Sequence, residues 1–147
     1  MQDHQQEFLE VLEGAVRRES PTEGDPNDLI ACRDYFAGLF REIGFHVTTV
    51  KSLDPRFADH LLVEYGAGAG RAAEELAQWL KTRGRFPVPQ WEPSVGGASR
   101  QLLFGGHYDT VHEKGVFGDS LWNIEGDHAI GPGILDMKSG DVQVYLI

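Results

Sequence analysis

Gly106-His107-Tyr108-Asp109-Thr110-Val111 and, further on, Gly131-Pro132-Gly133-Ile134-Leu135-Asp136-Met137-Lys138-Ser139-Gly140 are the two stretches that give the rest of the chain its meaning. Leu102-Leu103-Phe104 is a short apolar run of the kind that forms a buried strand. His107 and Asp109 then fall at the C-terminal end of that strand, two residues apart, and strand periodicity sends both side chains out on one face. An imidazole and a carboxylate side by side divide the work of a metal site: the ring binds the cation while the carboxylate holds its other N–H. Asp136 is placed to supply a hard oxygen donor from the next loop.

Each piece alone is weak evidence. A single His-x-Asp pair is usually an ordinary hydrogen bond at a strand end, and an Asp in a glycine-rich loop is usually an Asx-turn. The two pieces in this order, with a hairpin between them and a helix after, form a far more specific pattern. Leu121 to Glu125 and His128 to Ile130 flank Gly126-Asp127, a two-residue hairpin signal. Gly131, Pro132 and Gly133 shape a tight loop that ends at Asp136, and a helix begins near Lys138.

These blocks resemble the metal-binding motifs of the M20 family of co-catalytic zinc metallopeptidases, which includes glutamate carboxypeptidase, acetylornithine deacetylase and succinyl-diaminopimelate desuccinylase. Thr110-Val111 with Lys114-Gly115, and Glu125-Gly126-Asp127 leading into Gly131-Pro132-Gly133, look closest to the glutamate carboxypeptidase branch. A looser similarity reaches Ser20-Pro21-Thr22 and Gly44-Phe45-His46-Val47. The resemblance implies a three-layer α/β sandwich with a mixed, mostly parallel sheet, of which residues 1–147 are the N-terminal part of the catalytic domain. It implies two zinc ions that share a bridging carboxylate and activate a bound water. His107 matches a metal ligand, Asp136 the bridging carboxylate, and Asp109 the active-site residue that orients the imidazole. A non-proline cis peptide commonly follows that aspartate, so Asp136-Met137 is its expected place. Lys138 and Gly140 match the motif in structural roles.

The reaction so implied is hydrolysis of an amide next to a free amino-acid carboxylate, in a small peptide or an N-acyl amino acid, by a carboxypeptidase or deacylase. The family completes its site with a Glu-Glu pair, a further acidic ligand and a late histidine, all expected beyond residue 147. Structural zinc takes four ligands and catalytic zinc at least three from the protein. His107 and Asp136 alone therefore lead to an expectation of weak or no zinc binding and no hydrolysis by this chain in isolation. The second domain through which the family dimerises is also expected to be absent, leaving a homodimer to the full-length protein.

The remaining sequence reads as an α/β lead-in. Phe8, Leu9, Leu12, Ala15 and Val16 recur at helical spacing, which predicts a helix from about His4 to Glu19, ended by Ser20-Pro21-Thr22-Glu23-Gly24. Asp25-Pro26 opens a second helix with a capping carboxylate and a proline at the first helical position. Its apolar set, Leu29 to Ile43, carries it to Gly44 as the C′ glycine. Phe45 to Val50 and Asp59 to Tyr65 read as strands. The closing run, Asp141 to Ile147, is apolar on too many sides for a terminal surface helix, so the sequence is expected to stop inside an element and to leave sheet edge and apolar surface exposed.

A competing signal is Gly66-Ala67-Gly68-Ala69-Gly70 between that second strand and a helix expected over Arg71 to Arg83, the grammar of a nucleotide-binding turn. The dinucleotide fingerprint wants glycine where Arg71 stands, and Pro87 and Pro89 break up the only following strand. A nucleotide or S-adenosylmethionine site through Gly66 to Gly70 stays open as an alternative, beside a flexible turn. In M20 terms, residues 66–100 read as a surface insertion. A third reading is a non-catalytic remnant of the peptidase.

Composition bounds these choices. With 13 Lys and Arg against 23 Asp and Glu, the formal charge is −10, which leaves no basic footprint for nucleic acid and disfavours anionic membranes. Cys32 is the sole cysteine, so no internal disulfide forms. Gly-x-Ser-x-Gly is absent, and Cys32 has no placed histidine to activate it. The N-terminus lacks a basic region followed by an apolar one, and no apolar run would span a bilayer, so a cytoplasmic setting is expected.

Overall fold

The computed structural model describes residues 2–54, 56–66, 69–70, 78, 81–82 and 104–147. Helix α1 (Gln2–Val16) and helix α2 (Pro26–Glu42) lie where the periodicity places them. Asp25 caps α2 by accepting the Asn27 N–H at 2.9 Å, and Pro26 takes the first turn, where its missing N–H costs nothing. Gly44 follows the helix with φ +89, the left-handed conformation that lets the chain turn into strand β1 (His46–Val50). Strand β1 pairs antiparallel with β2 (His60–Glu64), Val47 opposite Val63 and Thr49 opposite Leu61. Strands β3 (Asn123–Glu125) and β4 (His128–Ile130) form the expected hairpin around Gly126-Asp127, with Glu125 opposite His128.

The molecule is thus mixed α/β, with helices and two small antiparallel sheets. The mostly parallel sheet expected from the resemblance is not among the pairings of the described residues. Of the strand expected before His107, only Phe104 is among the described residues. Leu102 and Leu103 lie outside the described residues, and Phe104 is half exposed rather than buried. Residues 104–109 adopt no regular structure. Thr110 forms an isolated parallel bridge with Pro21: the Thr110 N–H donates to the Ser20 carbonyl at 2.8 Å, and the Thr22 N–H to the Thr110 carbonyl at 2.9 Å. Most of the helix expected over Arg71 to Arg83, and most of the insertion at 66–100, fall outside the described residues; Gln78, Lys81 and Thr82, which are described, are helical.

The core sits where α1, α2 and the last helix, α3 (Ser139–Leu146), meet. Leu12, Ala15, Val16, Cys32, Phe36 and Val142 are buried there, with Tyr108, Trp122 and Ile134 packed against them. Burying each such side chain contributes roughly 1.5–3 kcal/mol. Cys32 joins the apolar face of α2, as its place in the helix implies. Both site loops rest on this core, Tyr108 from one and Ile134 from the other.

Candidate metal centre

Tyr108 points inward, packs on the core and donates its hydroxyl to the Asp59 carbonyl. Its neighbours His107 and Asp109 are turned the other way and remain partly exposed. The alternation expected of a strand is therefore present at these three residues without the strand. The Tyr108 carbonyl accepts the Ser20 hydroxyl at 2.6 Å, with the Cys32 thiol at 3.6 Å, so the backbone between the two site residues is held from the core side.

Asp136 comes from a different construction. Gly133, at φ +72, starts a π-type turn, Ile134–Lys138, closed by the Lys138 N–H on the Gly133 carbonyl at 2.9 Å. Within it Asp136 (φ −128, ψ 95) and Met137 (φ −135, ψ 31) leave helical geometry, and the Asp136-Met137 peptide is cis. The carboxylate is thereby presented outward, with its side chain 74% exposed. Lys138 turns in the opposite direction. It is fully buried, and its ammonium donates to the Ala15 carbonyl at 3.1 Å, which also accepts the Arg18 N–H at 3.2 Å, and to the Arg18 carbonyl at 2.8 Å, just past the end of α1. The loop that carries Asp136 is in this way fastened to the helix that carries the core.

The two constructions converge on one imidazole. His107 Nε2 lies 2.9 Å from Asp136 Oδ1. Its Nδ1 lies 3.0 Å from the Asp109 carbonyl and 3.3 Å from Asp109 Oδ1. Partial burial works against a charged ring, but the Asp109 backbone bond, the Asp136 bond and the charges of both carboxylates outweigh it, so the His107 pKa is raised from its ordinary value. The far Asp109 oxygen, Oδ2, accepts the Thr22 hydroxyl at 2.7 Å.

Behind the ring stands Asp141, on the first turn of α3. Its Oδ2 is buried with no hydrogen-bond partner among the described residues. Burial pushes its pKa up to about 6, against the opposing charges of His107 and Lys138. Neither Thr22 nor Asp141 was singled out by the sequence as a site residue. Thr22 belongs to the segment read as a helix stop and as part of the looser family similarity, and nothing local marks a contact 87 positions away.

The donor chemistry can be compared with zinc. A tetrahedral ion with bonds of about 2.0–2.1 Å separates its donors by about 3.3 Å. The 2.9 Å between Nε2 and Oδ1 is slightly closer, as a shared proton requires. One nitrogen and one oxygen thus fit two vertices of such a shell. Among the described residues no group of three or more His, Cys, Asp or Glu side chains converges to supply the rest. His112 packs edge-on against Phe117, and His128 lies 2.6 Å from Asp127 on the hairpin. A cleft of about 270 Å³, lined by Thr22, Leu29, Phe57, His60, His107 and Asp109 among others, opens beside the pair.

The glycine loop shows a different use of its backbone. Ala67 and Gly68 lie outside the described residues. The Gly70 N–H, one of those a phosphate would need, donates to the Glu64 carboxylate at 2.8 Å. The strand before it is paired antiparallel with β1 rather than set in a parallel sheet.

No family model matches the chain. It is similar to carboxypeptidase G2 of Pseudomonas sp. (strain RS-16), with 29% identity over 142 residues. That match covers 97% of this chain and 27% of the relative's length. The distant similarity suggests a peptidase-related protein and hydrolase function. Among the described residues no helix is long and apolar enough to cross a membrane.

Proposed function

We propose that this chain carries part of the metal centre of an M20-type zinc peptidase, in a catalytic domain built as a three-layer sandwich. The reaction is hydrolysis of an amide next to a free amino-acid carboxylate, in a small peptide or an N-acyl amino acid. The observation that supports this most is the convergence of His107 Nε2 and Asp136 Oδ1, 2.9 Å apart, with Asp109 against the opposite ring nitrogen. Similarity to a carboxypeptidase along nearly the whole chain points the same way.

In this reading His107 and Asp136 hold zinc, and the ion when bound supplies a water acidified toward neutral pH. Asp109 holds a His107 proton on Nδ1, so Nε2, which shares a proton with Asp136 at 2.9 Å, is the ring nitrogen that would give up that proton to take the ion. The cleft beside the pair admits a small substrate. The matched residues make up 27% of the relative's length, so the activity belongs to a site larger than the donors described here.

Zinc titration of the 147-residue chain, followed by amide NMR, tests the proposal. Weak binding is expected, with shifts centred on residues 107–110 and 134–138, and it is abolished by His107→Ala and by Asp136→Ala. Binding that both variants retain, or none at millimolar zinc, would count against it.

A further inference from the structure

We infer that Thr22 is a positioning residue for the metal centre, acting through the carboxylate of Asp109; the inference rests on the proposed zinc site and deepens it. The Thr22 hydroxyl has one proton and two acceptors in reach, Asp109 Oδ2 at 2.7 Å and the Thr110 carbonyl at 3.1 Å. The shorter contact is the charge-assisted one, and such bonds are about twice as strong as neutral ones, so the proton belongs to Asp109. A carboxylate free to rotate presents either oxygen, in any plane, to its neighbour. With Oδ2 held by Thr22, Oδ1 is the carboxylate oxygen left for His107 Nδ1, at 3.3 Å, where it adds its charge to the bond that Nδ1 makes with the Asp109 carbonyl at 3.0 Å.

Thr22 can do this because its backbone is fixed independently of its side chain. Its N–H donates to the Thr110 carbonyl at 2.9 Å, and the Ser20 carbonyl receives the Thr110 N–H at 2.8 Å. Pro21, between them, is buried. Ser20 adds its own hydroxyl to the Tyr108 carbonyl. The segment that ends α1 therefore acts as a splint along residues 108–110, and Thr22 is the one member of it that touches a site side chain. Removing its hydroxyl leaves the splint's backbone bonds in place and releases only the carboxylate.

Two readouts on the full 147-residue chain separate this role from ordinary packing. In metal-free protein, the ¹⁵N shift of His107 Nδ1 reports the hydrogen bonding of that nitrogen. Wild type and Thr22→Ser are expected to share one Nδ1 shift, and Thr22→Val to move it while Nε2, on Asp136, stays in place. With zinc as the probe, competition against a chelating dye should show affinity falling roughly tenfold in Thr22→Val, the scale typical of losing an outer partner of a metal ligand. Thr22→Ser should restore it to within about twofold of wild type, since the hydroxyl alone is at issue. In an Asp109→Ala background Thr22→Val should have no further effect, because the two act in series.

Equal zinc affinity in wild type and Thr22→Val, failure of serine to rescue, or additive effects in the double variant would each overturn the inference. Should wild type bind no zinc, the proposed function fails, and the Nδ1 shift of metal-free protein still decides the role of Thr22. An amide spectrum of Thr22→Ser superimposable on wild type secures the comparison if valine disturbs folding.

Discussion

Nε2 of His107 and Oδ1 of Asp136 lie 2.9 Å apart although 29 positions separate them in the chain. Neither residue is held there by the other. His107 is fixed through the backbone at 108–110, pinned to Ser20 and Thr22, while Asp136 is fixed through Lys138, pinned to the end of α1. Both supports originate in the stretch from Ala15 to Thr22, so the separation of the two donor atoms is set by a single short segment.

Lys138 should accordingly matter more to stability than a motif lysine at a helix start suggests. Lys138→Met keeps the length of the side chain but removes the lysine donor from the Arg18 carbonyl and leaves the Ala15 carbonyl with the Arg18 N–H alone. Loss of charged hydrogen bonds, partly offset by relief of ammonium burial, predicts roughly 2 kcal/mol of destabilisation. Urea unfolding should show a lower midpoint with an unchanged slope.

Gly133 joins the two motif loops. It sits at φ +72, and a Cβ there would lie 2.4 Å from Thr110 Cγ2, a buried methyl. Gly133→Ala combines a left-handed penalty with overpacking against the splinted residue, for a cost of roughly 2–4 kcal/mol. Calorimetry should show the drop, and zinc affinity should fall with it, because the displaced atoms carry His107 on one side and Asp136 on the other.

Much of the scaffold was legible because its causes are local. Asp25-Pro26 carries its own cap, Gly44 its own left-handed turn and Gly126-Asp127 its own hairpin, and each is found where the sequence puts it. The apolar run Leu102-Leu103-Phe104 reports burial and not partners; Phe104 is half exposed, and the hydrogen bonds of Tyr108 and Thr110 go to a segment almost ninety positions earlier. For the same reason Thr22 could not be found from spacing. Ser-Pro-Thr after a helix reads as a stop, and only the folded chain shows it bonded to Asp109. The burial of Lys138 was equally invisible, since a lysine in a polar loop normally faces water.

Asp141 predicts a pH dependence. Its folded pKa, pushed up to about 6 from an ordinary 3.8, means the folded state holds this proton more tightly than the unfolded one. The resulting cost is absent below about pH 4, grows between pH 4 and 6, and is complete above about pH 6. Metal-free protein should therefore lose stability relative to Asp141→Asn as pH rises through that window. After allowance for solvent screening the difference should reach roughly 1–2 kcal/mol at pH 7. Parallel stability curves for the two proteins from pH 4 to 8 would check it, and a difference that stays flat would show that the buried oxygen is not charged at neutral pH.

The most direct test of the central claim is anomalous diffraction at the zinc edge from crystals of the chain grown with zinc. The account predicts a peak within about 2.0–2.2 Å of both His107 Nε2 and an Asp136 carboxylate oxygen, with Asp109 still against Nδ1. A peak bound by other residues, or a His107–Asp136 pair that stays closed beside millimolar zinc, would contradict it.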